Sequence, residues 1–196
     1  MSCPTPKAPA PYVLAVTGAS GAPYARGLLR VLPPHGTLHV VASRAGRDLY
    51  RMECGAEIEE DLPEGVHLWD AADWRAPFAS GSYPVSGMVI CPCTMGTLGA
   101  VAGGFGENVI HRAADVCLKE RRRLVLVPRE TPLSRIHLEN MLRVTEAGAV
   151  VLPASPGFYH RPGAVSDLVD FIVARILDLL GIAQTLMAPW NPESPA

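Results

Sequence analysis

Arg123-Leu124-Val125-Leu126-Val127-Pro128-Arg129-Glu130-Thr131-Pro132-Leu133 is the stretch on which the reading of this chain turns. The run up to Val127 is short, branched and apolar with no alternation, the pattern of a strand in a parallel sheet covered on both faces. Pro128 cannot continue a central strand, and the opposite charges of Arg129 and Glu130 follow directly. In an open α/β sheet the residues just past a strand's carboxyl end line the ligand crevice. The pair therefore stands where a site belongs, not on a solvated helix face. Position alone supports a second reading equally, an N-cap region helped by Thr131 and Ser134. The flanking segments favour the site.

Composition sets outer limits. A chain of 196 residues with 18% charged and 48% apolar residues is one globular domain. The net charge of -2 argues against non-specific nucleic-acid binding. Five cysteines (Cys3, Cys54, Cys91, Cys93, Cys117) fit neither a zinc site nor a redox C-x-x-C spacing, so no metal is expected. Their odd number points to a reduced, cytoplasmic protein. No apolar run approaches the ~20 residues of a membrane span, and the amino terminus lacks a signal-peptide pattern. The expected organisation is a Pro-rich mobile tail over 1–11, one domain over 12–182, and a second Pro-rich tail over 183–196.

The first strand, Tyr12 to Val16, runs into Thr17-Gly18-Ala19-Ser20-Gly21-Ala22-Pro23 and then a helix to about Leu32. Strand, Gly-rich turn and helix is the arrangement that holds phosphate on backbone N–H groups. Gly18 and Gly21 let the backbone approach an anion, and Ser20 adds a hydroxyl. The full G-x-G-x-x-G fingerprint is absent, as is the Tyr-x-x-x-Lys of short-chain dehydrogenases, because neither Lys7 nor Lys119 lies four residues after a tyrosine.

A second strand, Thr37 to Ala42, ends at Ser43, which is either a ligand hydroxyl or the N-cap of a helix from about Ala45 to Cys54. Glu53 falls near that helix's carboxyl end, where the dipole disfavours a carboxylate and hints at another purpose. Trp69 to Gly87 reads as an ordered loop. Gly87 to Cys91 is the next strand, giving way to Pro92-Cys93-Thr94-Met95-Gly96-Thr97-Leu98-Gly99-Ala100, a second junction able to offer N–H and hydroxyl groups.

On the helix from Asn108 to Glu120, Arg112 and Lys119 lie within ~20° of each other at the border of the apolar stripe. They form either an anion clamp or a pair snorkelling at the core's edge. The helix from Ser134 to Ala147 turns Leu138, Met141 and Leu142 inward, and a short strand covers Ala149 to Leu152. The final helix, about Val165 to Leu180, carries Arg175 on the edge of its stripe, and the loop before it presents Phe158-Tyr159.

With these pieces in order, the chain resembles the UbiX/Pad-type flavin prenyltransferases from about Val13 to Ile182. The resemblance rests on Arg112-Ala113-Ala114-Asp115-Val116-Cys117-Leu118-Lys119-Glu120-Arg121-Arg122, on Pro128 to Leu133, and on Ile136-His137-Leu138-Glu139-Asn140-Met141. Phe158-Tyr159 and Arg175-Ile176-Leu177-Asp178 continue it. It implies an α/β fold, flavodoxin-like or Rossmann-like, a three-layer sandwich with a mainly parallel sheet. It implies a homo-oligomer, commonly a dodecamer, that joins a dimethylallyl group from dimethylallyl phosphate to reduced FMN, first at N5 and then at C6. The prenylated FMN passes to a UbiD-type decarboxylase. By the same resemblance FMN is held by Gly18, Ala19, Ser20, Ser43, Thr94, Met95, Gly96, Thr97 and Arg129. The prenyl phosphate is held by Lys119, Tyr159 and Arg175, with Arg112 nearby. Glu130 handles protons beside the phosphate, Glu53 and Ser20 do so at the flavin, and Lys119 is counted with them as catalytic.

The chain departs from the family pattern with Thr94 for the more frequent Ser and Glu107 for Asp, and Trp190 is left unassigned. A related FMN-dependent cysteine decarboxylase expects a histidine near the first helix and a Pro-Ala-Ser-Ala-Asn-Thr turn. Here the turn is Pro92-Cys93-Thr94-Met95-Gly96-Thr97, and no histidine comes before His35. A non-catalytic FMN carrier of a decarboxylase complex would have no need of Glu130, Lys119, Tyr159 and Arg175 together.

Overall fold

Apolar runs without alternation become central strands in the computed structural model, which describes residues 10–190. The six strands are β1 (Tyr12–Val16), β2 (Leu38–Ala42), β3 (Leu68–Asp70), β4 (Gly87–Cys93), β5 (Arg123–Pro128) and β6 (Val150–Val151). They form one parallel sheet in the order β3-β2-β1-β4-β5-β6. The helices are α1 (Ala22–Val31), α2 (Arg44–Cys54), α3 (Met95–Gly103), α4 (Val109–Lys119), α5 (Arg135–Glu146) and α6 (Val165–Leu180).

The two-residue period of a strand divides the core. Val13, Ala15, Met88, Ile90, Leu124 and Leu126 face α3, α4 and Val144 of α5. Leu14, Val16, Val40, Val89, Val125 and Val127 face α1, Tyr50 of α2, and α6. Each such side chain, withdrawn from water on both layers, contributes about 1.5–3 kcal/mol before chain entropy is subtracted. The result is the expected three-layer sandwich. Without β3 the strand order is the flavodoxin order, and with it the order is that of the dinucleotide-binding fold. Either way the connection reverses between β1 and β4, and the crevice lies at their carboxyl ends.

Three expectations are corrected. Trp69 and Asp70 belong to β3, an edge strand pairing Val40 with Leu68 and Ala42 with Asp70. Three residues are too few for a period to be read. β4 continues through Pro92 because Ile90 pairs with Leu126 and Cys93 with Pro128, three steps against two. At that bulge a missing N–H costs no ladder bond. On α5, Leu138 and Leu142 are 53% and 60% exposed, and only Val144 is buried. Met141 packs against the core beside Val144, but among the described residues nothing covers Leu138 and Leu142.

The first tail, residues 1–11, lies largely outside the described residues, as do 191–196. Ile182 is buried in the core on the α6 side, and the segment beyond it closes a turn in which Met187 N–H donates to Gln184 at 3.0 Å. No helix of the described residues is long and apolar enough to cross a membrane.

Gly46 lets α2 abut β1, since a Cβ there would lie 2.4 Å from the Val16 carbonyl oxygen. Backbone cannot move aside as a side chain can. Gly46→Ala is expected to lower unfolding stability by about 1–3 kcal/mol, the usual cost of overpacking, measured as a shifted urea midpoint.

Candidate active site

Thr17 ties the two strands of the switch point together. Its N–H and hydroxyl both donate to the Pro92 carbonyl, at 3.2 and 2.8 Å, and its hydroxyl oxygen accepts from Thr94 N–H at 2.9 Å. Three bonds through a residue only 3% exposed fix the end of β1 against the end of β4. On the other side, Ser43 N–H donates to the Val16 carbonyl at 3.0 Å. Gly18 lies so near α2 that a Cβ would sit 2.5 Å from that of Ala45. The Ser43 hydroxyl caps α2, accepting from Gly46 N–H at 3.0 Å.

Glu53 is held at the start of α1. One carboxylate oxygen accepts from Gly21 N–H and Ala22 N–H, each at 2.8 Å. Burial alone would raise its pKa, yet the Ser20 hydroxyl, these two amides and the Arg129 charge outweigh it and hold the carboxyl below its ordinary value. The discomfort of a carboxylate at the end of α2 is thus relieved by the positive end of α1. Some of the N–H groups of the turn expected to hold a cofactor phosphate are thus engaged within the chain. Gly21 and Ala22 already serve Glu53, and Ala19 N–H is turned back onto the Thr17 carbonyl at 2.9 Å.

The start of α3 is open by contrast. Thr94 caps it, accepting from Thr97 N–H at 3.0 Å, while the Thr94 hydroxyl donates to that of Thr97 at 2.9 Å. Met95 and Gly96 occupy the first helical positions, whose N–H groups have no intrahelical acceptor. A Cβ on Gly96 would meet nothing nearer than the Thr94 hydroxyl oxygen at 3.8 Å. That is a cradle with room for a phosphate, lined by amides and hydroxyls. Arg129 reaches the turn after β1, its Nε donating to the Ser20 carbonyl at 3.2 Å. Gly18, Ala19, Ser20, Ser43, Thr94, Met95, Gly96, Thr97 and Arg129 therefore all stand just past the carboxyl ends of β1, β2, β4 and β5. The set suits FMN: amides and hydroxyls for a phosphate, with a guanidinium beside them. Among the described residues no group of three or more His, Cys, Asp or Glu side chains is placed to hold a metal ion.

Glu130 is exposed and accepts from Thr131 N–H at 3.0 Å. It lines a cleft of about 130 Å³ with Arg129, Leu133, Met141 and Ser155. Tyr159 and Arg175 line a different cavity, about 360 Å³, with Phe171, Met187 and Trp190. Trp190, which the sequence left unassigned, stands edge-on to Tyr159 at 5.1 Å. Arg175, on the edge of the apolar stripe of α6, meets a carboxylate of its own helix. Its side chain is 53% exposed and pairs with Asp178 at 2.8 Å, one turn along α6.

Arg112 and Lys119 are not brought to either cavity. Arg112 donates to the Ala79 carbonyl at 3.1 Å and pairs with Asp115 at 2.7 Å. Lys119 pairs with Glu120 beside Gly81, at the foot of β5. The strand between it and Glu130 alone spans about 17 Å. A cleft of about 740 Å³ between α1 and α6 contains none of the candidate residues; Arg26 and Arg30 on its wall are matched by Asp61 and Asp170. What sequence reasoning missed is Thr17. A threonine directly after an apolar strand is a weak signal, because its acceptor lies 75 positions away.

A doubly wound sheet with a phosphate cradle and a guanidinium at its switch point defines a nucleotide-cofactor-binding α/β protein. Residues 2–177 match the model of the Flavoprotein family. The flavin prenyltransferase UbiX of Methanothermobacter thermautotrophicus is 50% identical over 183 residues, which cover 91% of this chain and 94% of that protein. The crystal structure of AnUbiX (PadA1) in complex with FMN and dimethylallyl pyrophosphate has a TM-score of 0.88 and 41% identity, covering 93% of this chain and 98% of that one. A dodecameric FMN-dependent UbiX-like decarboxylase from Escherichia coli has a TM-score of 0.87 and 39% identity, covering 92% and 99%. The chain belongs to the Flavoprotein family and, within it, to the UbiX flavin prenyltransferases.

Thr17→Val keeps the shape but leaves the Pro92 carbonyl short of a donor and the Thr94 amide without its acceptor. A stability loss of about 1–3 kcal/mol is expected, read by denaturant unfolding, together with weaker FMN binding in a flavin fluorescence titration.

Proposed function

We propose that the protein transfers a dimethylallyl group from dimethylallyl phosphate to reduced FMN. The observation that carries this reading is a second provision for an anion, the Tyr159–Arg175 cavity, in addition to the amides, hydroxyls and guanidinium of the switch point. A flavin carrier has no use for it. A cysteine decarboxylase is disfavoured by the want of a histidine before His35.

When bound, reduced FMN supplies the nucleophile, bonding to the prenyl group at N5 and then at C6. The rest follows from the chain's own groups. The start of α3, with Thr94, Met95, Gly96 and Thr97, holds the flavin phosphate, and Arg129 braces it. Tyr159 and Arg175 take the prenyl phosphate, and Arg suits it because its planar fork gives charge-assisted, paired bonds. As the carbon–oxygen bond breaks, negative charge grows on the leaving phosphate, and fixed cations stabilise it without rearrangement. Phe171 and Trp190 supply an apolar wall that keeps water from an allylic cation. Glu130, next to Arg129, exchanges a proton with the phosphate. Ser20 donates to Glu53, so a proton leaving the flavin edge has a hydroxyl–carboxylate route.

One chain does not gather all these groups, and this favours a homo-oligomer in which neighbouring copies complete each site with Arg112 and Lys119. The dodecameric relative supports that assembly, as do the exposed Leu138 and Leu142 on one face of α5. Four free thiols, Cys54, Cys91, Cys93 and Cys117, support a cytoplasmic setting. The prenylated flavin passes to a UbiD-type decarboxylase.

Anaerobic incubation with reduced FMN and dimethylallyl phosphate is expected to raise the flavin's mass by one dimethylallyl group. Unchanged flavin would overturn the assignment. In the same assay Glu130→Gln is expected to lose about 10²–10⁴-fold in rate, the usual contribution of a placed acid or base, while still binding FMN. Near-normal turnover would remove Glu130 from the mechanism.

A further inference from the structure

His160 lies outside both cavities yet is packed against the wall of one. Its ring stacks on Phe171 with centroids 5.4 Å apart and planes at 14°. Tyr159 stands edge-on to His160 at 5.7 Å, to Phe171 at 5.8 Å and to Trp190 at 5.1 Å. Three rings thus surround Tyr159, and two of them, Phe171 and Trp190, line the cavity with it. His160 packs against Tyr159 and Phe171 without lining the cavity itself.

Neither His160 nitrogen has a hydrogen-bond partner, and neither is reached by solvent. An atom closed to water is closed to a phosphate oxygen as well, so the imidazole is not a ligand of the donor. The nearest carboxylate it influences, Asp167, is committed elsewhere: it accepts from Gly163 and Ala164 N–H at 2.8 and 3.0 Å and so caps α6. What remains to the ring is its faces and edges. Offset and edge-to-face aromatic contacts have preferred geometries, and a phenol held among three rings has few rotamers left to it.

We infer that His160 is a positioning residue for the prenyl-donor pocket, acting as a flat ring that fixes Tyr159 and Phe171, and not through its nitrogens. The inference rests on the reading of that cavity as the donor site. Removing the ring frees Tyr159 to sample other rotamers, which weakens donor capture and leaves the flavin crevice alone. Replacing it by another ring keeps the contact and removes two unsatisfied buried nitrogens.

The test compares His160→Ala with His160→Phe, using Arg175→Ala as a reference for the pocket. For His160→Ala the KM for dimethylallyl phosphate is expected to rise about tenfold, as for a misplaced binding group, with FMN affinity unchanged and kcat largely recovered at saturating donor. His160→Phe is expected to keep the wild-type KM and to melt at a higher temperature. In flavin-free protein, near-ultraviolet circular dichroism from the Tyr159–Trp190 contact should weaken in the alanine variant and persist in the phenylalanine one. An unchanged KM and dichroism in His160→Ala would overturn the inference, as would a phenylalanine variant impaired like the alanine one. If Arg175→Ala also leaves the KM unchanged, the donor reading of the cavity fails instead, and the dichroism still decides whether His160 holds Tyr159. Should His160→Ala fail to fold, Phe171→Leu removes the same stacking partner and is expected to raise the KM likewise; an unchanged value there would overturn the inference.

Discussion

The carboxylate of Glu53 at the start of α1 is the interaction on which the layout of the site depends. It links α2 to the turn after β1 through two amides at 2.8 Å each. Both partners gain: α1 receives a negative charge at its positive end, and Glu53 escapes the negative end of its own helix. Because its folded-state pKa is depressed, the stabilisation is present above the ordinary glutamate value of 4.5 and is lost as pH falls through the lower, folded-state value. With the Gly21 and Ala22 amides so occupied, the first amides of α3, those of Met95 and Gly96, are left without an intrahelical acceptor.

A second constraint is the bulge in β4. It turns the Pro92 carbonyl toward Thr17, and the three bonds made there keep the ends of β1 and β4 in register. The crevice floor is thus built from buried backbone groups that would be costly to leave unpaired. The Tyr159 cavity is made otherwise, from rings packed on one another at the outer face of α6. It depends on packing where the crevice depends on hydrogen bonds.

How much of this was legible in the sequence follows from the range of each signal. The central strands were plain, because apolar runs such as Leu124 to Val127 are local and unambiguous. Helix caps at Ser43, Thr94, Asn108 and Ser134 lie within one turn of what they cap. Strand β3 was missed because Leu68–Asp70 is too short to carry a period. Glu53 gave only a hint, since its partners sit 31 and 32 positions away. Arg112 and Lys119 were found as a pair on one helix face, but a periodicity says nothing about which end of a sheet that face reaches. Leu138 and Leu142 were read as inward because an apolar stripe looks the same whether its cover is the same chain or another.

The most direct test of this account is a crystal structure of the protein with FMN. It should place the flavin phosphate within hydrogen-bonding distance of the Met95 and Gly96 amides, with Glu53 still bound to Gly21 and Ala22. A phosphate seated on the Gly21 and Ala22 amides, with the Glu53 carboxylate displaced, would contradict it.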